Sequence, residues 1–223
     1  MSAWVRMVPV GEATGLLKDM YAKVTTPHGT VDNVFRAHSL RPLTAWGHYV
    51  LYASVLHPDK AVARGIMPGL TEAKAKESAH TLPFWFLETV AAYVSASNDC
   101  GYSFTHHWAN AKRLIKRENR ARKARNEAAI DVETVLPALL AAQPALAFAG
   151  KELALLDYAR KLTVAVGQMA RADYDRLKAA GCDDGEIVEV NQVVAYFNYS
   201  NRLLNGLGVT TEGDVIGYYA EEE

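Results

Sequence analysis

Apolar residues recur at a spacing of three and four positions along most of the chain. This is the period of an amphipathic α-helix, whereas a half-buried strand alternates apolar and polar residues. No run of the sequence alternates convincingly over the length of a strand. The pattern therefore predicts an all-α protein. The predicted helices cover residues 11–24, 31–39, 41–57, 84–97, 100–126, 151–166, 171–180 and 185–206, with one short helix within 128–150.

A proline interrupts the helical pattern that runs from Thr71 to Ser97. Inside a helix, Pro83 would remove a hydrogen bond and cost about 3 kcal/mol. We therefore predict a break near Thr81, with Thr81 capping a new helix that includes residues 84–97. This helix is apolar nearly all round, which predicts that it is buried. Glu88 lies in its middle, and a buried carboxylate needs a partner because its desolvation is costly.

Composition adds limits on size and partners. The chain has 223 residues, is 50% hydrophobic and carries a net charge of −1. We expect a single domain over residues 1–223. The balanced charge does not indicate nucleic acid or an anionic membrane as a partner. The basic run within 112–125 is therefore interpreted as a solvated helix face.

Cysteine content and the apolar runs predict the compartment. Cys100 and Cys182 are too few for a disulfide framework, which is typical of a reducing, cytoplasmic environment. The N-terminal residues lack the apolar run of a signal peptide. No stretch approaches the length of a membrane-spanning segment.

Four residues form the candidate site: Glu88, Cys100, Ser103 and His107. If a helix begins near Cys100, with Asn98-Asp99 as its cap signal, the last three lie within about 60° of one face. The start of a helix favours a thiolate at Cys100. Glu88 beside the imidazole of His107 would form a proton relay.

A structural interpretation of the same residues stays open. A buried Cys100 can serve as a small hydrophobe, and Ser103 can bond a carbonyl one turn back. Metal binding is not predicted, because His106 and His107 point about 100° apart on a helix. We predict no metal and no cofactor.

The run LETVAAYVSASNDCGYSFTHH, which contains these residues, resembles the core motif of the alkylhydroperoxidase-D/carboxymuconolactone decarboxylase family, in its peroxidase-related branch. That motif is Glu, eleven residues, Cys, two residues, Cys, three residues, His. Glu88, Cys100 and His107 match it, and Ser103 stands at the second cysteine. The specific match covers about residues 75–115. The runs NVFRAHSLRP and FNYSNRLLNGLGV also resemble segments of that branch.

The resemblance implies an alkylhydroperoxidase-D-like helical bundle that assembles as a trimer or hexamer. In the peroxidase members the second cysteine attacks the peroxide, the first resolves it, and Glu and His activate the thiol. The decarboxylase members lack the cysteine pair and use general acid–base chemistry. With Ser103 at the second position, the two-cysteine cycle cannot operate.

Three functions follow from this pattern. The first is a peroxidase-related, antioxidant activity that uses Cys100 alone, on a hydroperoxide, with an external thiol as reductant. The second is a lyase or hydrolase-like activity, in which Glu88 and His107 move protons on a small carbonyl or lactone compound. The third is a non-catalytic homo-oligomer that retains the fold.

Overall fold

A computed structural model of the chain describes residues 2–58, 62 and 65–217. In these residues the regular elements are helices, which confirms the predicted all-α class. None of the helices in the described ranges is both long and apolar enough to cross a membrane. The α-helices are α1 (Gly15–Val24), α2 (Asn33–Arg36), α3 (Pro42–Leu56), α4 (Glu72–Lys76), α5 (Phe84–Ser97), α6 (Gly101–Ala124), α7 (Val132–Leu140), α8 (Gly150–Val164), α9 (Arg171–Ala179) and α10 (Asp184–Gly206).

The described residues group into two compact units. The first is formed within Met1–Ala79 and Arg202–Tyr218, and the second within His80–Asn201. In the first unit α1 packs against α2 and α3. Its core is made of apolar side chains from these helices and their connections, among them Leu17, Met20, Tyr21, Val24 and Phe35. The single domain expected over residues 1–223 stays a prediction.

The second unit is built around α5. Every residue of this helix from Trp85 to Ser95 is buried, as its nearly uniform apolar sequence predicts. It packs against α6, α7 and α8. A tight turn joins α5 to α6, so the two helices form an antiparallel hairpin. Residues on α6 are thereby brought beside the buried middle of α5.

The start of α5 differs from the prediction. Pro83, and not Thr81, is the residue that precedes the first turn, and no side chain caps it. The predicted Thr81 cap is therefore wrong. The backbone N–H groups of Thr81 and Leu82 donate instead to the Glu189 carboxylate, at 2.7 and 2.9 Å. Proline's fixed φ sets the helix start, and a carboxylate from α10 accepts the preceding donors.

A buried pair of histidines lies in the first unit. The Thr44 hydroxyl donates to the Arg41 carbonyl at 2.8 Å, so it accepts from His38 Nδ1 at 2.7 Å. His38 Nε2 is then the acceptor for His48 Nδ1, 3.0 Å away. Both rings are neutral in this arrangement. Burial lowers the pKa of His48 to about 3, with a smaller effect of His38, and burial also lowers the pKa of His38.

This pair predicts a pH-dependent stability. The unfolded chain binds protons at these rings below about pH 6.5, whereas the folded pair does not. The free energy of unfolding should therefore fall as the pH decreases from about 6.5 towards 3. Urea unfolding at pH 7 and pH 5 measures this change. In His48→Gln the decrease should be smaller than in wild type, and equal decreases in the two proteins would contradict the assignment.

Candidate functional site

The turn between α5 and α6 positions the site. Asp99 adopts a positive φ of 51°, and the Cys100 N–H donates to the Ser95 carbonyl at 2.9 Å. These two features end α5 and reverse the chain within a few residues. Cys100 is the residue before the first turn of α6, and its side chain makes no capping hydrogen bond. The cap signal of Asn98 and Asp99 stays a prediction.

Asn98 has a different role in the turn. Its amide donates to the side-chain oxygens of Asn198, at 3.2 Å, and Asn201, at 3.1 Å. Both acceptors lie on α10. The turn before Cys100 is thus held to α10 by an asparagine cluster within the second unit.

Glu88 and His107 form a hydrogen-bonded pair. His107 Nδ1 lies 2.7 Å from Glu88 Oε2, and the Glu88 side chain is 0% exposed. The Asn110 amide, one turn beyond His107, donates to the other carboxylate oxygen at 3.4 Å. The Phe197 ring packs edge-on against the imidazole at 4.5 Å. The prediction that Glu88 is buried and bonded near His107 is confirmed.

This geometry fixes the chemical character of the imidazole. A carboxylate only accepts hydrogen bonds, so the neutral ring carries its proton on Nδ1 and its lone pair on Nε2. No group in the described part of the chain bonds Nε2. The His107 side chain is 13% exposed. The pair therefore has the arrangement of an oriented general base.

Ser103 lies in a buried polar cluster one helix turn before His107. Its side chain is 2% exposed, and its Oγ lies 2.8 Å from Ser95 Oγ on α5. The Ser95 hydroxyl also lies 2.8 Å from the Ala91 carbonyl, and it accepts from the Asn201 amide at 3.4 Å. The Ser103 hydroxyl is thus paired with Ser95 across the helix hairpin.

Cys100 is buried as well, with 1% of its surface exposed. Burial raises the pKa of the Cys100 thiol, which outweighs the lowering effect of the Ser103 backbone N–H, and the charge of Asp99 raises it further. The expectation that the helix start favours a thiolate here is therefore wrong. Desolvation of the charged form exceeds the stabilisation by one backbone donor. Both cysteines of the chain are free.

The structure thus brings two of the four predicted residues together through their side chains. Glu88 bonds His107, whereas Cys100 contacts Ser103 through the Ser103 backbone N–H. No group of three or more His, Cys, Asp or Glu side chains in the described ranges is arranged to hold a metal ion.

Sequence reasoning missed two residues of the site, Ser95 and Asn110. Each carried a usable signal, because Ser95 is seven residues after Glu88 and Asn110 is three residues after His107. These spacings put each pair on one helix face. A search for polar residues at helical spacing from Glu88 and His107 would have found both.

Comparison with known proteins identifies the fold. Neither a protein-family model nor a curated protein matches the chain. Among solved structures, an uncharacterized peroxidase-related protein from Silicibacter sp. TM1040 is similar, with a TM-score of 0.68 and 18% identity over 96% of this chain and 93% of that one. A peroxidase-related protein from Ralstonia eutropha JMP134, described as an alkylhydroperoxidase AhpD core, has a TM-score of 0.67 and 17% identity over 96% and 94%.

The chain has the alkylhydroperoxidase-D-like helical fold. This agreement confirms the fold that the motif implied. A third similar structure is a variant of the debrominase Bmp8 in complex with 2,3,4-tribromopyrrole. Its TM-score is 0.62, with 14% identity over 94% of this chain and 91% of Bmp8. Proteins of this fold thus include both peroxidase-related proteins and a debrominase.

The burial of Cys100 predicts slow thiol modification. In the folded protein at pH 7, iodoacetamide should label Cys100 at least about tenfold more slowly than in the urea-unfolded chain, because the thiolate is the nucleophile and its formation is disfavoured. The labelling rate of Cys100 should keep rising with pH at values where an ordinary cysteine is already fully ionised. Peptide mass spectrometry measures both rates. Fast, stoichiometric labelling of Cys100 in the native protein at pH 7 would contradict this description.

Proposed function

We propose that the chain is an enzyme of the peroxidase-related fold, in which Glu88 and His107 move a proton on a small carbonyl or lactone substrate. The observation that carries this proposal is the 2.7 Å bond between His107 Nδ1 and the fully buried Glu88 carboxylate. Glu88 holds the imidazole in one tautomer, and Nε2 takes the proton from the substrate. The same nitrogen returns the proton to the product or to a leaving group.

The burial of Glu88 supports a role in proton transfer. An imidazole that accepts a proton becomes a cation, and the adjacent carboxylate stabilises it where water is excluded. The 3.4 Å contact of Asn110 with the second carboxylate oxygen fixes the orientation of Glu88. Asn110 is therefore proposed as a positioning residue, which acts on the reaction through Glu88.

A thiol-dependent peroxidase at Cys100 is the second candidate. Two observations favour it: the likeness to peroxidase-related structures, and the Ser103 backbone N–H, which lowers the pKa of the Cys100 thiol although burial outweighs it. In this reaction the thiolate attacks the peroxide oxygen, which releases an alcohol and leaves a sulfenic acid; an external thiol then reduces it. The burial of Cys100 and its raised pKa oppose this reaction, so acid–base chemistry is the better supported proposal.

Exchange with solvent deuterium tests the proposed role of the Glu88–His107 pair. In D₂O, the wild-type protein should catalyse deuterium incorporation next to the carbonyl of small keto acids or lactones, which proton NMR measures. Loss of a general base typically reduces such a rate by about 10²–10⁴-fold. We expect a loss in this range for His107→Ala, and a loss of at least about tenfold for Glu88→Gln.

Matched variants control this measurement. His106→Ala removes the neighbouring imidazole on α6 and should keep the wild-type exchange rate. Cys100→Ser should also keep it, because the thiol takes no part in the proposed step. Equal losses in His106→Ala and His107→Ala, a loss in Cys100→Ser, or no exchange with any of the compounds would contradict the proposal.

A second prediction concerns Ser103→Cys. This variant provides the second thiol of the peroxidase motif, three residues after Cys100 and beside the Ser95 hydroxyl donor. Wild-type turnover of an alkyl hydroperoxide with a dithiol reductant should be very low. If the site supports thiol peroxidase chemistry, the variant should gain at least about tenfold, which corresponds to about 1.4 kcal/mol of barrier, whereas acid–base chemistry at Glu88 and His107 predicts little gain. Ser103→Ala is the matched control and should gain nothing.

The outcome separates the two candidates. Robust wild-type turnover that Cys100→Ser abolishes, with Cys182→Ser unchanged, would establish the single-thiol peroxidase instead. An unchanged rate in Ser103→Cys, with both thiols reactive after unfolding, would show that the site no longer supports thiol redox chemistry. Homo-oligomer formation and a cytoplasmic location stay predictions.

A further inference from the structure

A cavity in the second unit lies apart from the residues proposed for catalysis. It has a volume of about 420 Å³ and is lined by the connection between α6 and α7, the segment before α8, and side chains of α5, α6 and α8. This volume is in the range of cavities that hold small organic ligands, which is about 300–1,000 Å³. Neither Glu88 nor His107 lines it.

One wall of the cavity is fixed by paired hydrogen bonds. The Asn119 side chain donates to the Ile130 carbonyl and accepts from the Ile130 N–H, both at 2.8 Å. This bidentate contact holds the connection after α6 against the helix. Arg122 Nη1 donates to the Ala128 carbonyl in the same connection, at 3.2 Å. The wall is thus formed before any ligand binds.

Three charged side chains line the cavity, Arg122, Asp131 and Glu152, and no ion pair joins Arg122 to Glu152 in the described residues. Arg122 Nη1 donates to the Ala128 carbonyl, and its Nε lies 3.4 Å from a Glu118 carboxylate oxygen. Glu152, in the first turn of α8, is half-buried, and burial raises the pKa of its carboxyl against the lowering effect of Arg122. No hydrogen bond or ion pair is formed by the Glu152 carboxylate within the described residues. The Glu152 carboxylate is therefore available to accept hydrogen bonds from a bound donor or cation.

Asp131 and Thr134 also line the cavity, and the Asp131 carboxylate accepts hydrogen bonds from the Glu133 N–H and the Thr134 hydroxyl. The other side chains of the lining are apolar or aromatic. The rings of Trp85 and Phe148 are almost fully buried and contribute to the cavity wall together with Ile130 and Leu146. Phe148 is itself supported edge-on by Phe86, at 6.4 Å between ring centroids. A guanidinium, a carboxylate without a hydrogen-bond partner and apolar side chains in one cavity match a molecule with an apolar body and two opposite charges.

We propose that this cavity binds an α-amino acid with an apolar or aromatic side chain. Its carboxylate pairs with the Arg122 guanidinium, its ammonium pairs with Glu152, and its side chain packs against Trp85 and Phe148. The carboxylate pairing uses the planar guanidinium, which suits two-point recognition of this group. The ammonium provides the hydrogen-bond donors that the Glu152 carboxylate does not have in the described residues.

Calorimetric titration with three matched probes tests the proposal on the full-length chain. L-Phenylalanine carries both charges, 3-phenylpropanoate lacks the amine, and 2-phenylethylamine lacks the carboxylate. L-Phenylalanine should bind at least about tenfold more tightly than either analogue. Glu152→Gln should abolish its advantage over 3-phenylpropanoate, and Arg122→Gln should abolish its advantage over 2-phenylethylamine.

Two exposed residues outside the cavity provide controls. Glu133→Gln on α7 and Arg120→Gln on α6 should leave the binding of L-phenylalanine within about twofold of wild type. Because Arg122 also bonds the Ala128 carbonyl, Glu152→Gln is the decisive variant, and its thermal unfolding should match wild type. No binding of L-phenylalanine at millimolar concentration, equal binding of the three probes, or unchanged binding in Glu152→Gln would overturn the proposal.

Discussion

The second unit depends on one interaction, the hydrogen bond between the Glu88 carboxylate and His107. Burying an ionised carboxylate without partners would cost several kcal/mol. α5 nonetheless carries Glu88 in the middle of a helix that is otherwise apolar and buried. His107 and Asn110 contact the two carboxylate oxygens, and both lie on α6. The partner helix must therefore pack in one register, and the turn that reverses the chain at Asp99 sets that register.

The same packing divides the site into two regions with different chemistry. The imidazole of His107 is partly exposed and oriented by a buried acid, so it can exchange a proton with a bound molecule. Cys100 and Ser103 lie where the hairpin closes, and both are almost fully buried. Ser95 and Asn201 complete the polar contacts around Ser103. Burial protects the thiol in this second region and disfavours its charged form. This contrast is the physical reason for favouring acid–base chemistry over thiol chemistry.

The sequence was sufficient for much of this description. Helical periodicity predicted the helices to within a few residues, and a single acid in an apolar helix predicted that Glu88 is buried and paired. Two kinds of feature were not predictable from local sequence. The Thr81 cap was wrong because a tertiary partner on α10, Glu189, accepts hydrogen bonds from the N–H groups of Thr81 and Leu82. The prediction that Cys100 favours a thiolate was wrong for a different reason. The start of a helix favours the thiolate, but burial, which depends on tertiary packing, has the larger effect on the pKa of the thiol.

The central claim is that Glu88 fixes the neutral His107 ring with its proton on Nδ1 and its lone pair on Nε2. Long-range proton–nitrogen correlation NMR measures this tautomer directly, with the His107 signals assigned by their loss in His107→Gln. The account predicts, for the neutral ring, a protonated Nδ1 and an unprotonated Nε2. It also predicts that Glu88→Gln shifts the tautomer balance. A neutral ring with its proton on Nε2, or a balance that is unchanged in Glu88→Gln, would contradict it.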